Sequence, residues 1–173
     1  MSVDEAFETE FRRLFADRFP GLFRYLDRVS GDPELAADLA QEAFVRLYHR
    51  GAMPDNAAAW LVSVANNLFR DERRRASRRV RLLARRPGEA LVGDAAPAPD
   101  AGVLADEQRR AVRVALDRLP ERDRQLLLLR EEGYSYRELA KTLSLLEASV
   151  GTLLARARMA FRSALAGGDD APV

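Results

Sequence analysis

Cysteine is absent from the 173 residues, and histidine and lysine occur once each, as His49 and Lys141. Without cysteine the chain can form no disulfide, no thiolate zinc site and no cysteine nucleophile. A metal centre or a hydrolase that relies on several histidines is not expected, and no glycine-rich phosphate loop occurs. The sequence therefore predicts a protein that is not an enzyme and that holds no metal or other cofactor.

Long apolar runs are also missing. No stretch approaches the ~18 consecutive apolar residues that a membrane span requires. The first residues, MSVDEAFETEF, lack the basic flank and apolar run of a signal peptide. Apolar residues still make up 47% of the chain and charged residues 32%, which favours folded cores over disorder. We expect a cytoplasmic protein without membrane insertion.

The net charge of +1 conceals a strongly basic segment. Residues 70–86 contain nine arginines and two acidic residues, whereas residues 1–69 carry a net charge of −4. A local concentration of positive charge keeps its affinity for phosphate even when the whole protein is neutral. Arginine also makes two-point contacts with phosphate oxygens and base edges. The alternative is a solvated helix end whose cations complement the helix dipole.

A segment rich in proline and glycine divides the chain. Residues 87–102 contain three prolines and three glycines and show no periodic apolar face. On both sides apolar residues recur at helical spacing, and no β pattern of comparable strength appears. We expect an all-α protein with two small helical domains, at residues 1–86 and 109–168. A flexible linker at 87–108 would join them, and a tail at 169–173 would follow.

Two helices of the first domain carry polar side chains that its core does not need. Asp32 followed by Pro33 is typical of a helix start, and Gly51 is typical of a helix end. The polar residues off the apolar face of this helix are Asp38, Gln41, Glu42 and Arg46. The next helix begins near Asn56 and runs into the basic segment, with Trp60 and Asn67 on one side. A broad adjoining face gathers Arg70, Arg73, Arg74 and Arg78.

The second domain contains the pattern of a helix-turn-helix. Ser135 and Glu138 fit a capping box, the short helix that they begin breaks near Ser144, and a longer helix begins near residues 148–149. In such a motif the second helix enters the major groove of DNA. Its outward positions are Ser149, Thr152, Arg156 and Arg158. Any two amphipathic helices joined by a turn give a similar pattern, so a helical module without DNA remains an alternative.

In their order along the chain, these segments resemble the extracytoplasmic-function (ECF) sigma factors, small members of the bacterial sigma family. Residues 38–48, DLAQEAFVRLY, resemble the region 2 helix that docks on the clamp of RNA polymerase. Residues 59–75, AWLVSVANNLFRDERRR, are similar to the helix that meets the −10 promoter element. The segments that resemble region 4, which reads the −35 element, are residues 119–124, 132–140 and 156–158. The resemblance spans about residues 5–165.

The resemblance implies a sigma factor that binds the clamp and flap of core RNA polymerase and recognises promoter DNA. It also implies an anti-sigma factor as a further partner. The core-binding residues implied are Asp38, Gln41, Glu42 and Arg46. The implied −10 residues are Trp60, Asn67, Arg70, Arg73, Arg74 and Arg78, with Asn67 in a pocket for a flipped base. The implied −35 residues are Ser149, Thr152, Arg156 and Arg158.

The last helix departs from the usual family pattern. Residues 149–154 read SVGTLL where TVKSRL is common, so two cations are missing, and Gly151 costs up to ~1 kcal/mol of helix stability relative to alanine. The loop at 49–58 is also shorter than in many relatives.

The main alternative function is a stand-alone helix-turn-helix regulator, which would bind operator DNA by itself and typically as a dimer.

Overall fold

The computed structural model describes residues 5–84 and 103–167. Within these residues there are seven helices and no strand, and the chain divides into two compact units, Met1–Ala98 and Pro99–Val173. The all-α fold and the two helical units are therefore confirmed. Residues 87–102, the centre of the expected linker, lie outside the described residues.

The first unit is a bundle of three helices, α1 (Glu5–Ser30), α2 (Pro33–Arg50) and α3 (Ala57–Ala84). Each of the three helices packs against the other two. The larger fully buried side chains between them are Tyr25, Phe44, Leu22, Leu26, Leu47, Leu61 and Val62. Burial of these apolar surfaces is the main term that holds the three helices together.

Local capping sets the ends of α2, as the sequence predicts. Asp32 Oδ1 accepts hydrogen bonds from the backbone amides of Glu34 and Leu35, at 3.0 and 3.1 Å. Gly51 follows the last turn with φ 67°, in the left-handed region that glycine adopts without strain. Adjacent residues therefore fix where α2 begins and ends, and the packing of its buried side against α1 and α3 decides which side chains face outward.

A buried hydrogen bond joins α1 to α3. The hydroxyl of Tyr25, fully buried, donates to Asn66 Oδ1 at 2.9 Å, and Asn66 is only 5% exposed. Asn56 caps the start of α3, where its Oδ1 accepts from the Ala59 amide at 2.9 Å. With Asn66 turned into the core, the next residue, Asn67, is turned toward solvent.

The second unit contains α4 (Val103–Asp117), α5 (Glu121–Glu131), α6 (Tyr136–Leu143) and α7 (Glu147–Ala166). Helix α7 packs against the other three. The capping box is present: Ser135 Oγ accepts from the Glu138 amide at 3.3 Å, and Glu138 Oε2 accepts from the Ser135 amide at 2.7 Å. Ser144, at φ 54°, turns the chain between α6 and α7. The predicted helix-turn-helix geometry is therefore formed.

Helix α4 begins within the residues that the sequence predicts as linker. The linker is expected at residues 87–108, and α4 starts at Val103. The residues VLADEQ that open α4 include neither glycine nor proline and are mostly good helix formers. Their helical propensity extends the helix backward from the part of α4 that packs on α7.

We expect Tyr25→Phe to lower the free energy of unfolding of the first unit by about 1–3 kcal/mol, because Asn66 Oδ1 would stay buried without this donor. The measurement is urea unfolding followed by the fluorescence of Trp60, the only tryptophan of the chain. Tyr48→Phe is the matched control. Because Tyr48 is 39% exposed, removal of its hydroxyl should lower the free energy of unfolding by less than about 0.5 kcal/mol. Equal effects of the two substitutions would contradict the role of the buried hydrogen bond.

Candidate nucleic-acid interface

The outward side of α3 brings together four of the predicted residues. Trp60, Asn67, Arg74 and Arg78 lie within about 40° of one another around the helix axis, at about 100° per residue. We call this row the α3 stripe. Trp60 is half-buried and the other three are exposed. The stripe thus places an aromatic ring, an amide and two guanidinium groups in one line along the helix.

Packing on the opposite side of α3 determines this orientation. The residues that α3 turns inward are Leu61, Val62, Ala65 and Asn66. They occupy the side of the helix that faces α1 and α2, and the stripe lies opposite to them. The stripe is outward because the core fills the other side.

The two remaining arginines of the predicted −10 set differ in position. Arg70 is exposed and borders the stripe, about 60° from Asn67. Arg73 lies about 120° from Asn67, and its guanidinium carbon is 5.9 Å from the centroid of the Phe69 ring. The helical period places Arg73 about 100° from the nearest stripe residue, so the structure does not group it with the other five.

Ion pairs leave the positive charge of this helix largely in place. Arg74 lies 3.7 Å from Asp71, and Arg75 lies 3.6 Å from Glu72. Both pairs are exposed, where such contacts contribute little to stability.

The helix-dipole alternative also fails for some of the arginines of α3, because that effect is confined to the last turn of a helix. Arg70 and Arg74 lie well before the end of α3 at Ala84.

The predicted polymerase-binding residues are all exposed on α2. Asp38, Gln41 and Glu42 share its outward side, and Arg46 lies at the edge, where its Nε donates to Glu42 Oε1 at 2.8 Å. The structure adds Val45, which is 45% exposed between these polar residues. Its position seven residues after Asp38 is the sequence signal that could have identified it.

One aromatic cluster beside α2 was also missed by the sequence analysis. Phe15 and Tyr48 are 41% and 39% exposed. The rings of Phe15 and Phe44 are 5.0 Å apart between centroids, in an edge-to-face arrangement. Phe7, Phe11, Phe15 and Phe19 recur every four residues along α1, and this helical spacing alone does not reveal that part of the cluster reaches the surface.

In the second unit, three of the four predicted −35 residues share one side of α7. Ser149, Thr152 and Arg156 lie within about 60° of one another, and Ser149 is half-buried. Arg158 is exposed but lies about 120° from Thr152. The structure therefore separates Arg158 from the other three, because a spacing of six residues does not return to the same face.

A buried carboxylate lies beside Arg156. Asp123, in the first turn of α5, has a side chain that is 8% exposed, and its Oδ1 has no hydrogen-bond partner. That oxygen is 3.8 Å from a terminal nitrogen of Arg156 and 4.0 Å from Nε of Arg122. The contact draws the Arg156 side chain toward α5. Sequence reasoning missed it, since an acid in a first helical turn is ordinarily explained by the helix dipole.

Other kinds of site are not found in the described part of the chain. There, no group of three or more histidine, cysteine, aspartate or glutamate side chains is placed to hold a metal ion. None of the helices in residues 5–84 and 103–167 has the length and apolarity to cross a membrane.

Two family models match the chain, one on each unit. Sigma-70 region 2 matches residues 14–79, which include the outward face of α2 and the whole α3 stripe. Sigma-70 region 4 matches residues 109–161, which include the helix-turn-helix. The two matches follow in the order that the sequence predicts.

Two curated relatives and one solved structure are similar to the chain. It is 33% identical over 161 residues to ECF RNA polymerase sigma factor SigE of Mycolicibacterium smegmatis, covering 91% of this chain and 61% of that one. It is 32% identical over 144 residues to RNA polymerase sigma-H factor of Pseudomonas aeruginosa, covering 78% and 75%. In the co-crystal structure of the sigma factor RpoE with the anti-sigma factor NepR from Bartonella quintana, a chain 21% identical matches with a TM-score of 0.65, covering 90% and 96%.

The extent of these similarities differs among relatives. The chain spans 61% of SigE and only 36% and 47% of the lengths of two other relatives that are 34% and 35% identical. The solved structure supports the fold. The two region matches establish the family, together with 30% identity over 148 residues to ECF RNA polymerase sigma factor EcfG of Rhodopseudomonas palustris, of which the chain covers 75%. The chain belongs to the ECF group of the sigma-70 family.

Proposed function

We propose that this chain is a promoter-specificity subunit of bacterial RNA polymerase, which binds the core enzyme and directs initiation through the −10 and −35 elements. Residues 1–86 would act as region 2 and residues 109–168 as region 4. The observation that carries the proposal is the α3 stripe, which joins an aromatic ring and an amide to two arginines on one exposed line.

The α3 stripe suits the capture of an opened DNA strand. Taking a base out of the duplex costs a few kcal/mol, and stacking and hydrogen bonds in a fitted pocket offset this cost. Trp60 offers a ring for stacking, and Asn67 offers an amide that can donate to and accept from a base edge. Arg74 and Arg78, about two and three turns beyond Asn67, would hold the phosphates that follow.

The outward face of α2 suits a protein partner. Protein interfaces commonly combine an apolar centre with a polar rim. Val45 is the exposed apolar residue here, and Asp38, Gln41 and Glu42 surround it. This face would dock on the clamp of the polymerase core, while the second unit would contact the flap and place α7 at the −35 element.

A stand-alone regulator is the weaker alternative, because it gives no role to the outward face of α2 or to the α3 stripe.

The proposed activity requires polymerase and DNA, and so we expect the protein in the cytoplasm. The similar Bartonella chain was crystallised in complex with an anti-sigma factor. We extend this to the present chain as a proposed partner that would restrain it until initiation is needed.

Run-off transcription with purified core polymerase tests the proposal. Candidate promoters would carry separately altered −10 and −35 elements, and the full chain would be added to core. We expect transcripts that require both core and chain and that fall by at least tenfold when the −10 element is altered. If no candidate promoter gives core-dependent transcripts and the chain does not co-purify with core, the proposed function is wrong.

Glu42→Lys should weaken binding to core polymerase by at least tenfold. The substitution reverses a charge on the proposed docking face, and a charge reversal in an electrostatically matched interface is strongly unfavourable. The exposed pair with Arg46 contributes little to folding, so helix content measured by circular dichroism should not change. Glu10→Lys makes the same charge change at an exposed position of α1 and serves as the control. Equal core affinity of the two variants would remove α2 from the docking role.

Arg74→Ala should reduce the salt dependence of open-complex formation by about one phosphate contact, which is a change in slope of about 0.7–0.9 in log K against log salt. Arg73→Ala removes the same type of side chain from outside the stripe and should leave the slope almost unchanged. The measurement is the equilibrium constant of open-complex formation at several salt concentrations. A larger effect for Arg73 than for Arg74 would contradict the assignment of the stripe.

A further inference from the structure

The most exposed side of α7 is apolar. Ala148, Thr152, Ala155 and Met159 are all exposed and lie within about 60° of one another around the helix. The side chain of Met159, the largest of the four, belongs to a residue that is 69% exposed. Their only side-chain polar group is the Thr152 hydroxyl, so we call this surface the α7 methyl face. The region 4 match, residues 109–161, includes all of it.

Arginines border the methyl face on both edges. Arg156 lies on one edge, and Arg158 and Arg162 lie on the other. A major groove is bordered on both sides by phosphates, and it is wide enough to admit a helix. The α7 methyl face therefore fits a major groove in which its apolar side chains contact the base edges and the arginines on both sides contact the phosphates.

The part of α7 that would enter the groove first carries no cation before Arg156. In a helix-turn-helix, the N-terminal residues of the second helix contact base edges. Arg156 lies three turns into α7 and is drawn toward the buried Asp123 carboxylate, 3.8 Å from its terminal nitrogen. This contact orients Arg156 toward the edge of the helix and away from the centre of the methyl face.

These residue types limit what the face can recognise. Guanine is usually read by arginine or lysine, and adenine by asparagine or glutamine, whereas the apolar feature in the major groove is the C5-methyl group of thymine. The methyl face contains none of those four residue types. We propose that α7 reads the −35 element through thymine methyl groups, which contact the side-chain methyls of Ala148, Thr152 and Ala155. This inference rests on the proposed function and specifies the ligand of that same helix.

Replacing thymine by deoxyuridine removes only the methyl group and tests the proposal. The holoenzyme would first select fragments from a promoter library randomised over the −35 region. In the selected fragments we expect thymines in the −35 element. Each deoxyuridine substitution at a contacted position should lower the affinity of the holoenzyme about fourfold, as expected for one lost buried methyl. Deoxyuridine in the spacer between the two elements is the DNA control and should have no effect.

Two substitutions at Thr152 separate its methyl group from its hydroxyl. Thr152→Ser keeps the hydroxyl and should abolish the preference for thymine over deoxyuridine at one position of the element. Thr152→Val keeps a methyl at that place and should retain the preference. Because Thr152 is exposed, neither change disturbs the core of the second unit.

The holoenzyme could select a −35 element and yet bind it equally well after its thymines are replaced by deoxyuridine. That result would overturn the inference and leave the proposed function intact. Retention of the full preference in Thr152→Ser, together with its loss in Thr152→Val, would also overturn the role given to this methyl. Failure of the holoenzyme to select any −35 or −10 sequence would instead count against the proposed function itself.

Discussion

The burial of one side of α3 against α1 and α2 determines what the first unit can present to another molecule. The hydroxyl of Tyr25 in α1 donates to Asn66 Oδ1 in α3 within the buried core, and a rotation of α3 about its axis that turned Asn67 inward would break this hydrogen bond. The same packing turns Trp60, Arg74 and Arg78 outward. The proposed capture of an opened strand therefore depends on a buried hydrogen bond that touches no DNA.

The two units offer different chemistry to the same proposed ligand. The α3 stripe provides a ring, an amide and positive charge, which suits an opened strand with accessible bases and phosphates. The α7 methyl face provides apolar contact with arginines only at its edges, which suits a closed major groove. In the proposed function polymerase holds both units on one promoter, so each acts at a high effective concentration and neither needs to bind DNA tightly by itself.

Features set by neighbouring residues could be predicted from the sequence, and features set by packing could not. The ends of α2 follow from Asp32 and Gly51, and the start of α6 follows from its capping box, because those contacts are local. The Asp123–Arg156 contact and the partly exposed ring of Phe15 against Phe44 depend on how separate helices pack, which no local pattern reveals. A family resemblance identified the set of candidate residues, and the structure shows which of them share a helical face.

The most direct test of the central claim uses the absence of cysteine from the chain. Asp71→Cys in α3 and Met159→Cys in α7 each introduce a single thiol at an exposed position, to which a DNA-cleaving reagent can be attached before core polymerase is added. The account predicts that the reagent on residue 71 cuts promoter DNA at the −10 element and the reagent on residue 159 cuts it at the −35 element, in both cases only with core present. Cleavage of the same DNA region from both residues, or equal cleavage without core, would contradict it.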